Sequence, residues 1–453
     1  MNTSATRPGN IVNVTEIVDH SPFTPLHWRA FILCMACLVM DGFDVQALGY
    51  TAPSIIREWG VANAALGPVF AAANFGVLIG ALLCSMLADR IGRRPVIVGA
   101  ALFFGAMTLL TARVSTVPQL LAMRFLAGVG LGTIVSNASS LVGEYSSKRM
   151  RATMIMYAGV GFTGGAAFGG FIAAALIPSY GWQSVFYFGG AVPLVIGIAM
   201  LIWLPESLQF MALRGKSPQT LARWLNQIDP GVNASAADQF VVREENKPGV
   251  PIIHLFREGR AVPTILFWVV NFMNLLNLYS LASWLPTVVR DSGYSAQTGV
   301  LVGTVLQVGG TLGTVGLAWL VARGGFVRVM STTFVLAAIS VLLIGQPGIS
   351  LALLYLIVFI AGWCVVGSQP GLNALSGAFY PTYIRSTGVG AGLGVGRIGA
   401  IVGPAIGGMF MAAHWSTRDI FLAAAIPAAI SAVAMFSLRF VVGTQLGRVS
   451  ASN

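Results

Sequence analysis

The sequence predicts an all-α integral membrane protein whose twelve transmembrane helices form two pseudo-symmetric six-helix bundles. Three observations carry that prediction. The 453-residue chain is 56% hydrophobic and only 9% charged, with a mean hydropathy of +0.79, whereas soluble domains carry about 25% charged residues. It contains twelve apolar runs of the length that spans a bilayer, which takes about 20 residues. The second half also repeats the first at an offset of 233–234 residues.

The spans fall at 30–55, 65–88, 95–113, 118–142, 152–177, 183–204, 261–288, 297–322, 329–346, 349–378, 386–413 and 417–440. A polar connection, Pro205 to Arg260, separates six from six. The chain therefore divides into a tail at 1–29, a bundle at 30–204, the connection at 205–260, a second bundle at 261–440 and a tail at 441–453. The N-terminal stretch lacks the apolar core and small-residue cleavage site of a signal peptide, and none is expected.

Charge orients the helices. Arg57, Arg113, Arg290 and Arg418 fall in loops on one side, Arg124 and Arg397 lie within spans, and the other 20 of 26 Lys and Arg lie on the side of the termini and the connection. The positive-inside rule makes that side cytoplasmic. The formal net charge of +11 is then a topology signal and not a nucleic-acid surface. Cys34, Cys37, Cys84 and Cys364 all sit in apolar runs and read as small buried hydrophobes.

The repeat is explicit in the residues. MDGFD (40–44) falls on MNLLN (273–277), Pro53 on Pro286, and LADR (87–90) on LVAR (320–323). Arg151, Thr153, Gly165 and Gly169 fall on Arg385, Thr387, Gly399 and Gly403. Parallel repeats of this kind place a substrate site between the halves near the bilayer midplane, so a carrier is predicted. An enzyme is not: the four histidines are dispersed, and no metal-ligand spacing or cofactor motif appears, so neither metal nor cofactor is expected.

Polar residues inside the spans mark the candidate site. Asp41 and Asp44 share one helix face, although each carboxylate costs about 2.5–3.5 kcal/mol at a helix centre. Burial and mutual repulsion oppose the pull of a nearby cation, so the two would exchange protons as one coupled pair. Arg124, alone in the fourth span, must pair or reach water. Arg397 lies deep in the eleventh span, where the nearest acid of its half is Asp419 at an outer loop; a substrate carboxylate or a structural partner would satisfy it. Asn271, Asn274 and Asn277 lie roughly along one face of the seventh span. Asn274 and Asn277 keep polarity where the first half has Asp41 and Asp44. Gln307, Gln369 and Asn373 are further candidates, because intramembrane amides need partners. Phe43, Tyr157, Trp363, Tyr279 and Trp284 offer faces for an aromatic ring, against the plainer reading that bundle aromatics pack.

LADRIGRRP (87–95) resembles the loop signature of the major facilitator superfamily. That resemblance implies a gate: Asp89 against the N-terminus of the eleventh helix, where the macrodipole favours an anion, Gly92 within the loop, and Arg93 and neighbouring basic residues pairing across the cytoplasmic face, with Glu144 and Arg151 as participants. Arg385, the repeat mate of Arg151, joins the gating candidates, whereas Ala322 stands where a second Asp89 would, so no matching gate is expected there. RFLAGVGLG (124–132) resembles the superfamily's fourth-helix motif, whose arginine partners a first-helix aspartate in related sugar–proton symporters; this implies an Asp44–Arg124 pair. DGFDVQALGYTAP (41–53), GSQPGLNAL (367–375) and YPTYIRSTGVG (380–390) look like the aromatic acid–proton symporter branch. The branch implies import of a benzoate- or hydroxybenzoate-class carboxylate with protons, by a monomeric carrier of the bacterial inner membrane with both termini inside. Alternatives are a carrier of ring-cleavage dicarboxylates or phthalates, a proton-coupled exporter, and a non-transporting sensor. The fifth helix, GVGFTGGAAFGG (159–170), lacks the glycine–proline motif typical of drug antiporters.

Overall fold

The computed structural model describes residues 10–147, 149–242, 252–380 and 384–449, and the backbone alone at 84–86, 152, 155–156, 158, 386 and 440–449. The first half runs β1 (Ile11–Asn13), α1 (Val14–His20), α2 (Pro25–Trp59), α3 (Gly67–Ile91), α4 (Arg93–Thr111), α5 (Val117–Glu144), α6 (Arg151–Tyr180) and α7 (Gln183–Trp203). The connection holds α8 (Leu208–Arg214), α9 (Pro218–Ile228) and β2 (Gln239–Val241). The second half runs α10 (Ala261–Asp291), α11 (Ala296–Gly324), α12 (Phe326–Ile344), α13 (Leu351–Val365), α14 (Ser368–Phe379), α15 (Arg385–Ala412) and α16 (Thr417–Val449). Twelve spans among the described residues are long and apolar enough to cross a membrane; the chain is a multi-pass, all-helical membrane protein.

Local chemistry sets the helix ends. Thr24 and His27 form a reciprocal capping box, Pro25 takes the first turn, and Gly60 closes α2 in the left-handed region at φ 63°. Thr116, Ser295 and Ser350 each accept the amide of the residue three on, and so start α5, α11 and α13. The tenth span, anticipated as one helix, breaks between α13 and α14. Gly367 donates to the Gly362 carbonyl at 3.1 Å, a bond five residues back, as in a π-bulge. It lies so close to Gly313 of α11 that a Cβ there would come within 2.7 Å of the Gly313 carbonyl carbon.

The duplication is visible in packing. Small residues let membrane helices approach closely. Gly165 of α6 rests on the Val39 carbonyl, and its repeat mate Gly399 of α15 rests on the Phe272 carbonyl; Gly169 meets Phe43, and Gly403 meets Leu276. Gly49 of α2 lies against the Ala282 carbonyl of α10. These two positions are themselves repeat mates, so this contact sits on the pseudo-two-fold axis.

The described contacts between halves run from the midplane to the end opposite the connection. Gly67 meets Gly408, Gly170 meets Thr304, and Tyr50 meets Gly303; Phe70 and Trp284 lie 5.1 Å apart, edge to face. At the rim, Arg290 donates to the Pro53 carbonyl at 2.8 Å and Asn63 donates to Asp291 at 2.5 Å. Asp89 and Arg385, at the connection end, are exposed. The cleft is closed at the far end and open toward the connection.

The tail and connection form a small joint body. β1 pairs with β2 in parallel, Ile11 opposite Gln239. Val12, Val14 and Val18 pack with Leu208, Met211, Leu221 and Leu225. The Ser235 and Asn10 amides hydrogen-bond the Asp238 carboxylate and hold it below its usual range. Cys34, Cys37 and Cys364 are free and buried; the Cys84 side chain lies outside those described.

A Cβ on Gly165 would stand 1.9 Å from the Val39 oxygen, whereas one on neighbouring Gly164 meets nothing within 4 Å. Gly165→Ala is expected to cost at least the roughly 1–3 kcal/mol of overpacking, and Gly164→Ala to leave stability unchanged or raised. Thermal unfolding of the two variants in detergent checks the contrast.

Candidate functional site

The deepest charges in the first half are a hydrogen-bonded pair. Asp44 and Arg124 are 4% and 2% exposed. Arg124 Nη1 donates to both carboxylate oxygens at 2.9 and 3.0 Å, and Nη2 donates to Thr108 and Thr111 at 3.2 and 2.9 Å. Thr108 in turn donates to Asp44 at 3.3 Å, and the guanidinium lies 5.0 Å over the Phe186 ring. The pair therefore ties α2 to α4, α5 and α7, and its threonines absorb donors that would otherwise be stranded.

Asp41 lies about one turn from Asp44 toward the connection, is 2% exposed, and has no hydrogen-bond partner at Oδ2. The cation whose field reaches it is Arg397, from the other half. This amends the sequence reading, in which Arg397 had only Asp419 to consider: within its own half that holds, but the fold brings the first helix across. Arg397 is half-buried and donates to the Tyr279 hydroxyl at 3.3 Å.

The amides divide. Gln369 donates to Asn271 at 3.1 Å and accepts from Asn274 at 2.8 Å, while Ser368 donates to Asn274 at 3.4 Å. The helix break at Gly367 turns Ser368 and Gln369 onto α10, so Asn274 is already engaged. Asn277 is 1% exposed, and neither of its amide atoms has a partner. The repeat explains why: it stands where Asp44 does, but the equivalents of Arg124 are Ile357 and Val358. Gln307 is buried on α11, and Asn373 is half-buried on α14.

Of the aromatic candidates, Tyr279 meets Arg397, whereas Phe43 and Trp363 are seated against glycines. Phe43 is 1% exposed, wedged against Gly169 and Gly189 and 5.4 Å from Phe188, inside the first bundle. The Trp363 indole packs on Gly316 of α11. Tyr157 is 53% exposed on α6. Glycine slots make the first two into packing residues.

The loop candidates meet on one half only. Arg93 Nε lies 2.6 Å from Glu144, which also accepts from the Ser207 hydroxyl. Glu206, which the sequence reading passed over, organises this group. Its Oε1 accepts the amides of Arg93, Arg94 and Ser207 at 2.9, 3.0 and 2.8 Å, capping the otherwise unsatisfied start of α4. Gly92 has φ 112°, and a Cβ there would meet the Glu206 carboxylate at 2.4 Å, so only glycine fits. An acid directly after the sixth span was the available signal. Arg151 donates to the Gly143 carbonyl at 2.9 Å and to Asp19 at 2.7 Å. Among the described residues Asp89 has no contact with the start of α15; its side chain is exposed and its carbonyl accepts from Arg214 at 3.0 Å. Among the described residues Arg385 reaches the Tyr380 carbonyl, at 3.4 Å.

Arg124→Ala strands a buried carboxylate and is expected to cost about 3–5 kcal/mol. The double variant with Asp44→Asn should recover part of that loss. Unfolding temperatures of the single and double variants measure both.

Comparison with known proteins agrees with this architecture. The sequence profile of the Major Facilitator Superfamily matches residues 34–325 and 267–452. The 4-hydroxybenzoate transporter PcaK of Pseudomonas putida is 38% identical over 435 residues, 96% of this chain and 97% of that protein. The benzoate transport protein of Acinetobacter baylyi is 32% identical over 94% of this chain and 92% of its own length. Among solved structures, a D-xylose–proton symporter superimposes with a TM-score of 0.70 at 16% identity, covering 90% of this chain and 96% of its own, a likeness of fold alone. The chain belongs to the major facilitator superfamily, with 4-hydroxybenzoate and benzoate transporters among its relatives.

Proposed function

We propose that this protein is a secondary transporter that imports an aromatic monocarboxylate of the benzoate or hydroxybenzoate class together with protons. The observation that carries the reading is the arrangement across the cleft. A half-buried Arg397, held by a phenol and not by a carboxylate, faces the half that carries the buried acids Asp41 and Asp44. A guanidinium so placed recognises a planar carboxylate through paired N–H donors. One free cation fits one carboxylate better than two. The names of the relatives from Pseudomonas putida and Acinetobacter baylyi support the aromatic class.

The proposed cycle follows from these positions. Facing outward, the carrier takes a proton on the Asp41–Asp44 pair, which frees Arg397 from the pull of Asp41, and the substrate carboxylate binds there. Rocking of the halves exposes the site to the other side. Ligands bias that motion only through their different affinities for the two states. The excess of Lys and Arg beside the termini supports a cytoplasmic location for them, and on that reading the conformation described is open inward. The Gly92–Arg93–Glu144–Glu206 cluster would stiffen the cytoplasmic face of the first bundle. Asp89 would reach α15 only once that face closes. On this reading the chain works as a monomer in a bacterial inner membrane.

In proteoliposomes, an inward proton gradient should drive accumulation of labelled 4-hydroxybenzoate, and collapsing the gradient should abolish it; accumulation unaffected by the collapse would refute symport. Asp44→Asn should lose accumulation yet keep exchange. For Arg397→Ala, losing the charge-assisted contact should raise the substrate Kd roughly 10- to 150-fold, and an unchanged Kd would remove the carboxylate from Arg397.

A further inference from the structure

At the end of the molecule away from the connection, one repeated dipeptide does two different jobs. Arg57–Glu58 lies in the last turn of α2 and Arg290–Asp291 in the last turn of α10, at the same 233-residue offset as Pro53 and Pro286. The first copy serves its own half. Glu58 accepts from the Trp182 indole at 2.9 Å and from Gln183 at 3.2 Å, both at the start of α7, and Arg57 is exposed. The second copy crosses to the other half. Arg290 Nη1 donates to the Pro53 carbonyl at 2.8 Å and Nη2 to the Asn63 side chain at 3.3 Å, while the Asn63 amide donates back to Asp291 at 2.5 Å. Asp291 also accepts from Arg290 Nε at 2.9 Å, which holds the guanidinium in its crossing direction.

A two-fold-related copy of this contact would set Arg57 on the Pro286 carbonyl. That residue is buried, and its carbonyl packs on Gly299 of its own half, where a Cβ would come within 2.4 Å of the oxygen. The duplication has therefore kept one arm of a symmetric pair. We propose that Arg290, aimed by Asp291 and received by Asn63 and the Pro53 carbonyl, is a one-armed latch that holds the far end shut in this conformation and releases when the halves rock the other way. Beneath it, Gly67 meets Gly408 and Phe70 meets Trp284; those contacts set how closely the halves fit, whereas the charged hydrogen bonds at the rim set how readily they part. Arg290 is 20% exposed, so its bonds compete with water and hold the end shut reversibly. The latch rests on the rocking of the two halves and not on the cargo or on proton coupling.

Spin labels on exposed Ser115 and Ala413, one on each half at the far end, test it in the full-length protein in liposomes, with the four native cysteines replaced by alanine. Pulsed electron resonance reads the ratio of parted to closed far ends from the two label distances. Arg290→Ala should raise that ratio about five- to tenfold, as expected for a charge-assisted contact that is partly wet. Asn63→Ala leaves Arg290 in place and should raise it in the same direction, and Arg290→Lys, which keeps a donor for the Pro53 carbonyl, should fall between. Arg57→Ala, the repeat mate, should keep the wild-type ratio. An unchanged ratio in Arg290→Ala or in Asn63→Ala would overturn the latch. So would an equal rise in Arg57→Ala, since any rim charge would then act alike. The labels need neither substrate nor a proton gradient, so the latch and the symport reading fail separately.

Discussion

The contact on which the rest depends is the ion pair between Asp44 and Arg124, buried to within a few per cent of complete. Two charges withdrawn from water are held only when nearly every hydrogen-bonding position is filled. Here Thr108 and Thr111 accept from Nη2, leaving Nε as the guanidinium position without a described partner. That requirement fixes how α2, α4 and α5 approach, and it holds one carboxylate near the middle of the first span. Its counterpart in the second half, Asn277, keeps the polarity but has Ile357 and Val358 where the arginine would be. A duplicated scaffold has thereby become chemically unequal. In the proposed cycle the first half exchanges the proton and the second offers Arg397 to the anion.

Close helix approach makes this inequality useful. Glycines at repeat-related positions seat α6 on α2 and α15 on α10 in the same way, so each half is a stiff body with its polar groups fixed near the axis. The axis contact of Gly49 with Ala282 brings the first helix of each half together, which is why Asp41 feels Arg397 although the two lie far apart in sequence. In the proposed rocking, Asp44–Arg124 is a contact within one half and would persist, whereas the relation of Asp41 to Arg397 lies across the divide and would change.

Much of this was legible in the residues. Span number, the split into halves and the repeat offset follow from hydropathy and self-similarity, since a bilayer leaves few alternatives for so apolar a chain. Lone intramembrane charges pointed to Asp41, Asp44, Arg124 and Arg397 because each is too costly to be incidental. Phe43 and Trp363 could not be sorted between ring contact and packing, because an aromatic lining a cleft and one seated in a glycine slot look alike until the helices pack. Glu206 escaped notice because its role arises from backbone amides at the start of α4, which carry no side-chain signature. The paired strands of tail and connection, three residues each, were too short to show any periodicity.

The central claim is that anion capture on Arg397 and proton capture around Asp44 are linked events in one molecule. Its most direct measurement is proton exchange with weakly buffered solvent when 4-hydroxybenzoate is added to the purified protein near neutral pH. The account predicts net proton uptake in the wild-type protein, proportional to site occupancy, and none in Asp44→Asn at equal occupancy. Binding with no proton uptake by the wild-type protein, or equal uptake by both proteins, would contradict it.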